Sequence, residues 1–278
     1  LARGAITLVF CPLLTLLGGI ATTAPIRNVR LGMAEVERGN TEVKVAVYDG
    51  TELGELQSGF NRMADGIRER EKIRDLFGRH VGQEVAEAAL NKTSELGGEE
   101  RDIAVFFIDL VGSTEIASSQ PPTEVVALLN RFFAVVVDEV DQHGGFINKF
   151  EGDAALAIFG APGDIEDHCG CALAAARKIS SRLVDEVPEC SAAVGVASGR
   201  AVAGNVGAKS RFEYTVIGDP VNEAARLSDL AKNAPGAILA SKVTVDGANR
   251  SEAGHWEFGE SVTLRGRSAE TVLAHPTT

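Results

Sequence analysis

The sequence predicts an α+β body preceded by a membrane-spanning helix and a short bundle of paired helices, and three observations carry that reading. Gly4 to Ile26 holds no charged side chain, Ile26 to Ile67 repeats apolar positions at heptad spacing, and from Glu99 onward strand-like and helix-like runs alternate. The chain has 278 residues, 45% hydrophobic and 24% charged, enough for two or more domains and a buried core. That composition excludes a disordered, collagen-like or disulfide-stapled chain. Lys and Arg number 27 against 39 Asp and Glu, a net charge of −12, so no nucleic-acid partner is expected and any nucleotide must be small and locally held. Cys11, Cys169, Cys171 and Cys190 are too few and too irregular for an extracellular disulfide framework, which points to a reducing compartment for the body.

The first element is the uncharged run. The chain opens on Leu1 rather than Met, so an upstream part of a membrane region is expected to be missing. Gly4 to Ile26, at 1.5 Å per residue, spans ~30 Å of hydrocarbon, and residues 1–26 are predicted to form a transmembrane helix. Arg27, Arg30 and Arg38 follow it and place the downstream bulk on the cytoplasmic face of the cell membrane. The alternative is a cleaved signal peptide, because Ala21-Thr22-Thr23-Ala24 has the small residues of a cleavage site.

Next come two helices. Pro25 stands where a new helix begins, and Ile26, Val29, Met33 and Val36 recur at heptad spacing before Gly39-Asn40 ends the run. After the connector TEVKVAVYDG, Leu53, Leu56, Phe60, Met63 and Ile67 form a second seam. Two short helices cannot bury such seams alone, so a parallel four-helix bundle made by two chains is expected, with Val43, Val45 and Val47 capping it. Together with the ELGEL stretch that opens the second helix, this arrangement resembles a HAMP domain, a signal relay below bacterial membrane sensors, over residues 27–78. A plain coiled-coil linker is the alternative. A coupling helix is expected over residues 79–98, with Phe77 and Val81 buried and Gly97-Gly98 ending it.

The body, residues 99–278, begins with a buried strand at Asp102 to Leu110 and a helix at Pro121 to Val140. Strands at 146–150 and 154–159 flank the tight turn Glu151-Gly152-Asp153, and a helix follows at about 165–183. Strands are predicted at 192–197, 201–206 and 212–217, a helix at 221–230, and strands at 237–239, 255–258, 262–265 and 271–274. The pattern implies an α/β sandwich.

Four places carry chemistry. In FFIDLVGST, Asp109 ends an apolar strand and a small-residue loop, Gly112-Ser113-Thr114, offers backbone N–H groups to an anion. In NKFEGDAALAIFG, Lys149 and Asp153 flank a turn between apolar strands, where buried charge calls for a ligand or metal. Asp109 and Asp153 are a minimal oxygen set for Mg²⁺, although each taken alone is also an ordinary turn former. In EYTVIGDPVNEAARL, Asn222 and Arg226 sit four apart on one helical face, an amide beside a guanidinium. In VTLRGRS, Arg265 lies on a late strand beside Gly266.

In this order, with VGVASGRAVAGNVG between the second and third, these motifs resemble the catalytic domain of the class III nucleotidyl cyclases, a ferredoxin-like α/β sandwich. The order HAMP then cyclase, joined by LFGRHVGQEV, resembles membrane-anchored bacterial adenylyl cyclases. The resemblance implies that Asp109 and Asp153, helped by the Leu110 carbonyl, hold two Mg²⁺ or Mn²⁺ ions. It implies that Asn222 orients the ribose, Arg226 stabilises charge on the α-phosphate, and Arg265 takes the triphosphate tail where the family usually has lysine. Lys149 matches the base-reading lysine, and Thr215 stands where many members have aspartate. A threonine oxygen and an ammonium suit the donor N6-H₂ and acceptor N1 of adenine, so ATP is the expected substrate and cyclic AMP the product. The family builds its site across a dimer, and this chain supplies both halves, so a homodimer is implied. The alternatives are a guanylyl cyclase and a catalytically silent nucleotide-binding relay. His168, Cys169 and Cys171 are expected to pack rather than bind metal, and Arg101 and Lys209 to be surface charges.

Overall fold

Residues 2–37 form one long helix, α1 (Ala2–Glu37), that passes through both Pro12 and Pro25. The computed structural model describes residues 2–48, 50–86 and 96–277, with side chains for all of these except 2–11, 13–14, 16–18 and 20–21. Two compact units result, Leu1–Arg79 and His80–Thr278.

In the amino-terminal unit α1 is followed by α2 (Glu52–Val81). Val29, Val45 and Phe60 form a buried cluster, with Val36 and Val43 packed on it. Gly32 is what lets Phe60 approach, because a Cβ there would lie 2.8 Å from the ring. The connector is pinned to α2 by a two-way clasp: the Val45 N–H donates to Asn61 Oδ1 at 2.9 Å and Asn61 Nδ2 donates to the Val45 carbonyl at 2.8 Å. The heptad seams therefore split, Val29 and Phe60 facing inward while Ile26, Met33, Leu56 and Met63 stay exposed.

Several expectations change here. Pro25 does not start a helix but lies inside one, since a proline costs its helix one hydrogen bond and some bending without compelling a stop. The expected span Gly4 to Ile26 is not supported: among the described residues no helix is long and apolar enough to cross a membrane, and most side chains of that run, Cys11 included, lie outside them. Val47 and Phe77 are exposed rather than buried. The coupling helix is interrupted at Gly82, whose φ of 91° is left-handed, and residues 87–95 of it lie outside the described residues.

The second unit is one mixed sheet of eight strands. Its elements are β1 (Gly97–Leu110), α3 (Ser113–Ser119), α4 (Pro122–Gln142), β2 (Phe146–Glu151), β3 (Ala154–Phe159), α5 (His168–Glu186), β4 (Ala192–Ala208), β5 (Arg211–Ile217), α6 (Asp219–Ala231), β6 (Ile238–Ser241), α7 (Lys242–Gly247), α8 (Arg250–Ala253), β7 (Trp256–Thr263) and β8 (Glu270–Pro276). The order across the sheet is β2-β3-β1-β4-β6-β8-β7, with β5 paired to β4. One face packs α4 and α5 against Ala104, Phe106, Ile108 and Leu110. The other packs α6 against Ile103, Val105 and the β4 alanines. Helix α6 can lie this close because Gly195 has no side chain, and a Cβ there would strike the Ser228 nitrogen and the Ala224 carbonyl.

The two strands expected at 192–197 and 201–206 are a single strand, β4, because Gly199 with φ 152° carries the chain straight on. Likewise β7 runs through a bulge between Phe258 and Ser261 where two strands were expected. Arg101 is no surface charge: it is mostly buried and meets Asp164 at 2.7 Å and the Gly160 carbonyl at 3.3 Å. Cys169 packs in the first core, as expected.

Candidate active site

Strand alternation decides where Asp109 points. Ile103 and Val105 belong to the α6 face, so Asp109, two further steps of two along β1, falls on that face at the strand's end. The β2–β3 turn brings Asp153 beside it: Asp109 pairs with Ala154 in the ladder, and the Leu110 N–H donates to the Asp153 carbonyl at 3.3 Å. Gly152, with φ 69°, makes that turn possible. Gly112, with φ 76°, turns the chain out of β1, and what was expected to be a loop at Ser113-Thr114 is the first turn of α3.

The two carboxyls are electrostatically joined. Burial pushes Asp109 above its usual range, against the opposing pull of the Lys232 ammonium, which contacts it directly. Burial also acts upward on Asp153, but a hydrogen bond from Ser113, one from its own backbone and the Asp109 interaction together hold it below its usual range. Two carboxylates this close are both charged at low cost only with positive charge nearby. Lys232, just past the end of α6, supplies one such charge and also meets Asp229 at 3.6 Å. Among the described residues no three His, Cys, Asp or Glu side chains gather as a metal cage. Two carboxylates are nevertheless the set that Mg²⁺ takes when phosphate oxygens and waters complete its shell, so the donors present fit such an ion. Leu110, Ser113, Thr114, Leu128 and Asp153 line a cleft of about 370 Å³ beside the pair, between α3 and α4.

Asn222 and Arg226 lie on the outer face of α6, because Ala224, Leu227, Ser228 and Ala231 occupy its inner one. Both are exposed, and Arg226 meets the exposed Asp229 at 3.5 Å. Among the described residues neither touches the acids directly, although Asp229 meets both Arg226 and Lys232, and Lys232 contacts Asp109. Asn222 and Arg226 share the exposed face of α6 that their spacing predicts.

Lys149 and Thr215 do share a neighbourhood. Lys149 on β2 meets Glu213 on β5 at 3.9 Å and Glu151 at 3.4 Å. Thr215 is buried on β5, and its hydroxyl donates to Asn148 Oδ1 at 3.0 Å. Arg265 lies not on a strand but in the turn after β7, exposed, with Gly266 at φ 85°. The arginine that reaches α6 is Arg267, which donates to Asp219 at 3.0 Å and to Thr271 at 2.6 Å and also contacts Glu223. Sequence reasoning passed over Lys232, Asn148 and Arg267. The only signal for any of them is that Arg267 shares the RGR motif with Arg265.

Residues 98–274 match the family model described as Adenylate and Guanylate cyclase catalytic domain, and residues 20–69 match the HAMP domain model. The chain is 58% identical over 271 residues to the uncharacterized protein Rv1318c of Mycobacterium tuberculosis, covering 98% of this chain and 50% of that protein. It thus spans about half the length of the curated relatives it matches. Among solved structures it resembles the adenylyl cyclase CyaB from P. aeruginosa with a TM-score of 0.59 at 24% identity, over 66% of this chain and 97% of that one. It resembles the guanylyl cyclase Cya2 with a TM-score of 0.53 at 27% identity, over 64% of this chain and 93% of that one. The first likeness speaks for the fold alone.

Proposed function

Since the chain belongs to the adenylate and guanylate cyclase catalytic-domain family, we propose that it is a membrane-anchored adenylyl cyclase whose active sites are each shared by two copies of the chain. It converts ATP to 3′,5′-cyclic AMP and pyrophosphate. The single observation that carries this reading is the split of the machinery on one chain: acids joined at the end of β1, an amide and a guanidinium turned to solvent on α6. Two-fold pairing of identical chains brings such complementary halves together twice.

Asp109 and Asp153 hold the divalent ions, Mg²⁺ or Mn²⁺. When bound there, the ions lower the pKa of the ribose 3′-hydroxyl and offset triphosphate charge. The 3′-oxygen attacks the α-phosphorus in line, the bond to the β-phosphate oxygen breaks, and the hydroxyl proton is lost. Asn222 of one copy orients the ribose, and Arg226 answers the charge that grows on the α-phosphate oxygens, where a fixed guanidinium acts without reorganisation. Arg265, exposed in its turn, is free to meet the triphosphate tail. Lys149 and Thr215 read the base, and Thr215 accepts from the adenine N6-H₂.

The amino-terminal unit passes input to this site as a parallel four-helix bundle, supported by the exposed seam residues Ile26, Met33, Leu56 and Met63. Attachment to the cell membrane, with the catalytic unit on the cytoplasmic side, is supported by the uncharged run before Arg27 and by the HAMP match that begins at residue 20. The decisive experiment is turnover of ATP and of GTP by the purified chain with Mn²⁺ or Mg²⁺. Cyclic AMP formed in preference to cyclic GMP is expected. Preference for GTP overturns the base assignment, and no product from either makes the chain a nucleotide-binding relay.

A further inference from the structure

We propose that Asn148 is a positioning residue that sets base preference by fixing the Thr215 hydroxyl as an acceptor toward the substrate, an inference that rests on the ATP reading above. Asn148 is the extra residue of a bulge: Ile147 pairs with Ala157 and Lys149 with Leu156, so Asn148 has no ladder partner between them. Bulges re-aim side chains, and this one sends the Asn148 amide across to β5 while the next residue carries the Lys149 ammonium.

The polarity of that contact is forced. The Tyr214 carbonyl can only accept, so the group 2.6 Å from it is the Asn148 nitrogen. The amide oxygen is then the atom that faces Thr215 Oγ1 at 3.0 Å, and an oxygen that only accepts obliges the hydroxyl to donate. Thr215 is largely buried, and its proton is committed to Asn148 Oδ1. What Thr215 has left for a ligand is lone pairs. Adenine presents N6-H₂ to them, whereas guanine presents the O6 acceptor, which they repel. A backbone carbonyl on β5 thus fixes, through one amide and one hydroxyl, which purine is accepted.

The test uses the full chain and the ratio of kcat/KM for ATP to that for GTP. Asn148→Leu frees the hydroxyl to rotate, and the ratio is expected to fall about tenfold, through KM for ATP more than kcat, as loss of one hydrogen bond implies. Thr215→Val is expected to lower it similarly, and the double variant to lower it no further, because the two act as one unit. Thr215→Ser keeps the hydroxyl and keeps the ratio. If Asn148→Leu does not fold, as read from the melting of Trp256 fluorescence, Asn148→Ala takes its place. An unchanged ratio, parallel losses for both nucleotides, or multiplying losses in the double variant overturn the inference. A wild type that prefers ATP but shows any of these fails on Asn148 alone; a wild type that prefers GTP fails on the ATP reading itself.

Discussion

The two units are incomplete in opposite ways. The second has cores on both faces of its sheet, yet among the described residues its candidate amide and guanidinium on α6 are exposed and make no direct contact with the Asp109–Asp153 pair. The first carries no catalytic group, and among the described residues its buried core is Val29, Val45 and Phe60, while Leu56 and Met63 of the same heptads face water. In the dimer proposed above, a second copy would contribute folding energy to the amino-terminal unit and chemistry to the carboxy-terminal one.

The comparison breaks most sharply through activity. Asp153→Ala and Asn222→Ala are each expected to lower kcat by ~10² to 10³, the usual cost of losing a charge stabiliser. Mixing the two inactive variants should restore roughly a quarter of wild-type turnover, since about half of random pairs are mixed and each mixed pair has one intact site. No recovery on mixing means the site lies within one chain. A core substitution sharpens the other half: Phe60→Ala should cost the amino-terminal unit about 3 kcal/mol. Circular dichroism at 222 nm would then lose helical signal, while the melting of Trp256, the one tryptophan and buried in the catalytic unit, stays put.

Smaller effects follow. Gln57 is buried in the amino-terminal unit, and among the described residues its Nε2 has no hydrogen-bond partner. Gln57→Leu should raise that unit's stability by about 1 kcal/mol in thermal melts; a loss instead would mean that a second chain satisfies the amide. A change of similar size is expected from Lys232→Met, which leaves Asp109 beside Asp153 without its ammonium. Without divalent ions the catalytic unit should lose about 1 kcal/mol, and added Mn²⁺ should close the gap, because an ion that binds the folded state stabilises it by mass action. A gap that persists under saturating Mn²⁺ would show that Lys232 serves only packing.

Much of the catalytic unit was legible because its signals are local. The apolar run before Asp109, the Glu151-Gly152-Asp153 turn and the Asn222–Arg226 spacing are written in neighbouring residues, and β1, β2, β3 and α6 follow them closely. Residues 198–200 were left between two predicted strands, whereas pairing with β1 from Ala192 to Asn205 carries the chain through them. Lys232 was invisible because its partner is Asp109, far away in sequence, and an exposed helix-end lysine has no pattern of its own. Asn148 was invisible for a related reason, since a bulge is decided by the register of two strands and not by the bulged residue. In the amino-terminal unit the heptads were plain, but which apolar residues face inward within one chain depended on Gly32 and the Asn61 clasp.

Strand β1 has one more consequence. It is hydrogen-bonded to β4 from Gly97 to Leu110, and its last carboxylate is the candidate cation ligand. A slip of one residue would turn Asp109 to the opposite side of the sheet, so the strand cannot pay out or reel in slack. The strand can tilt as a stiff bar, but its register, and with it the side on which Asp109 stands, stays fixed.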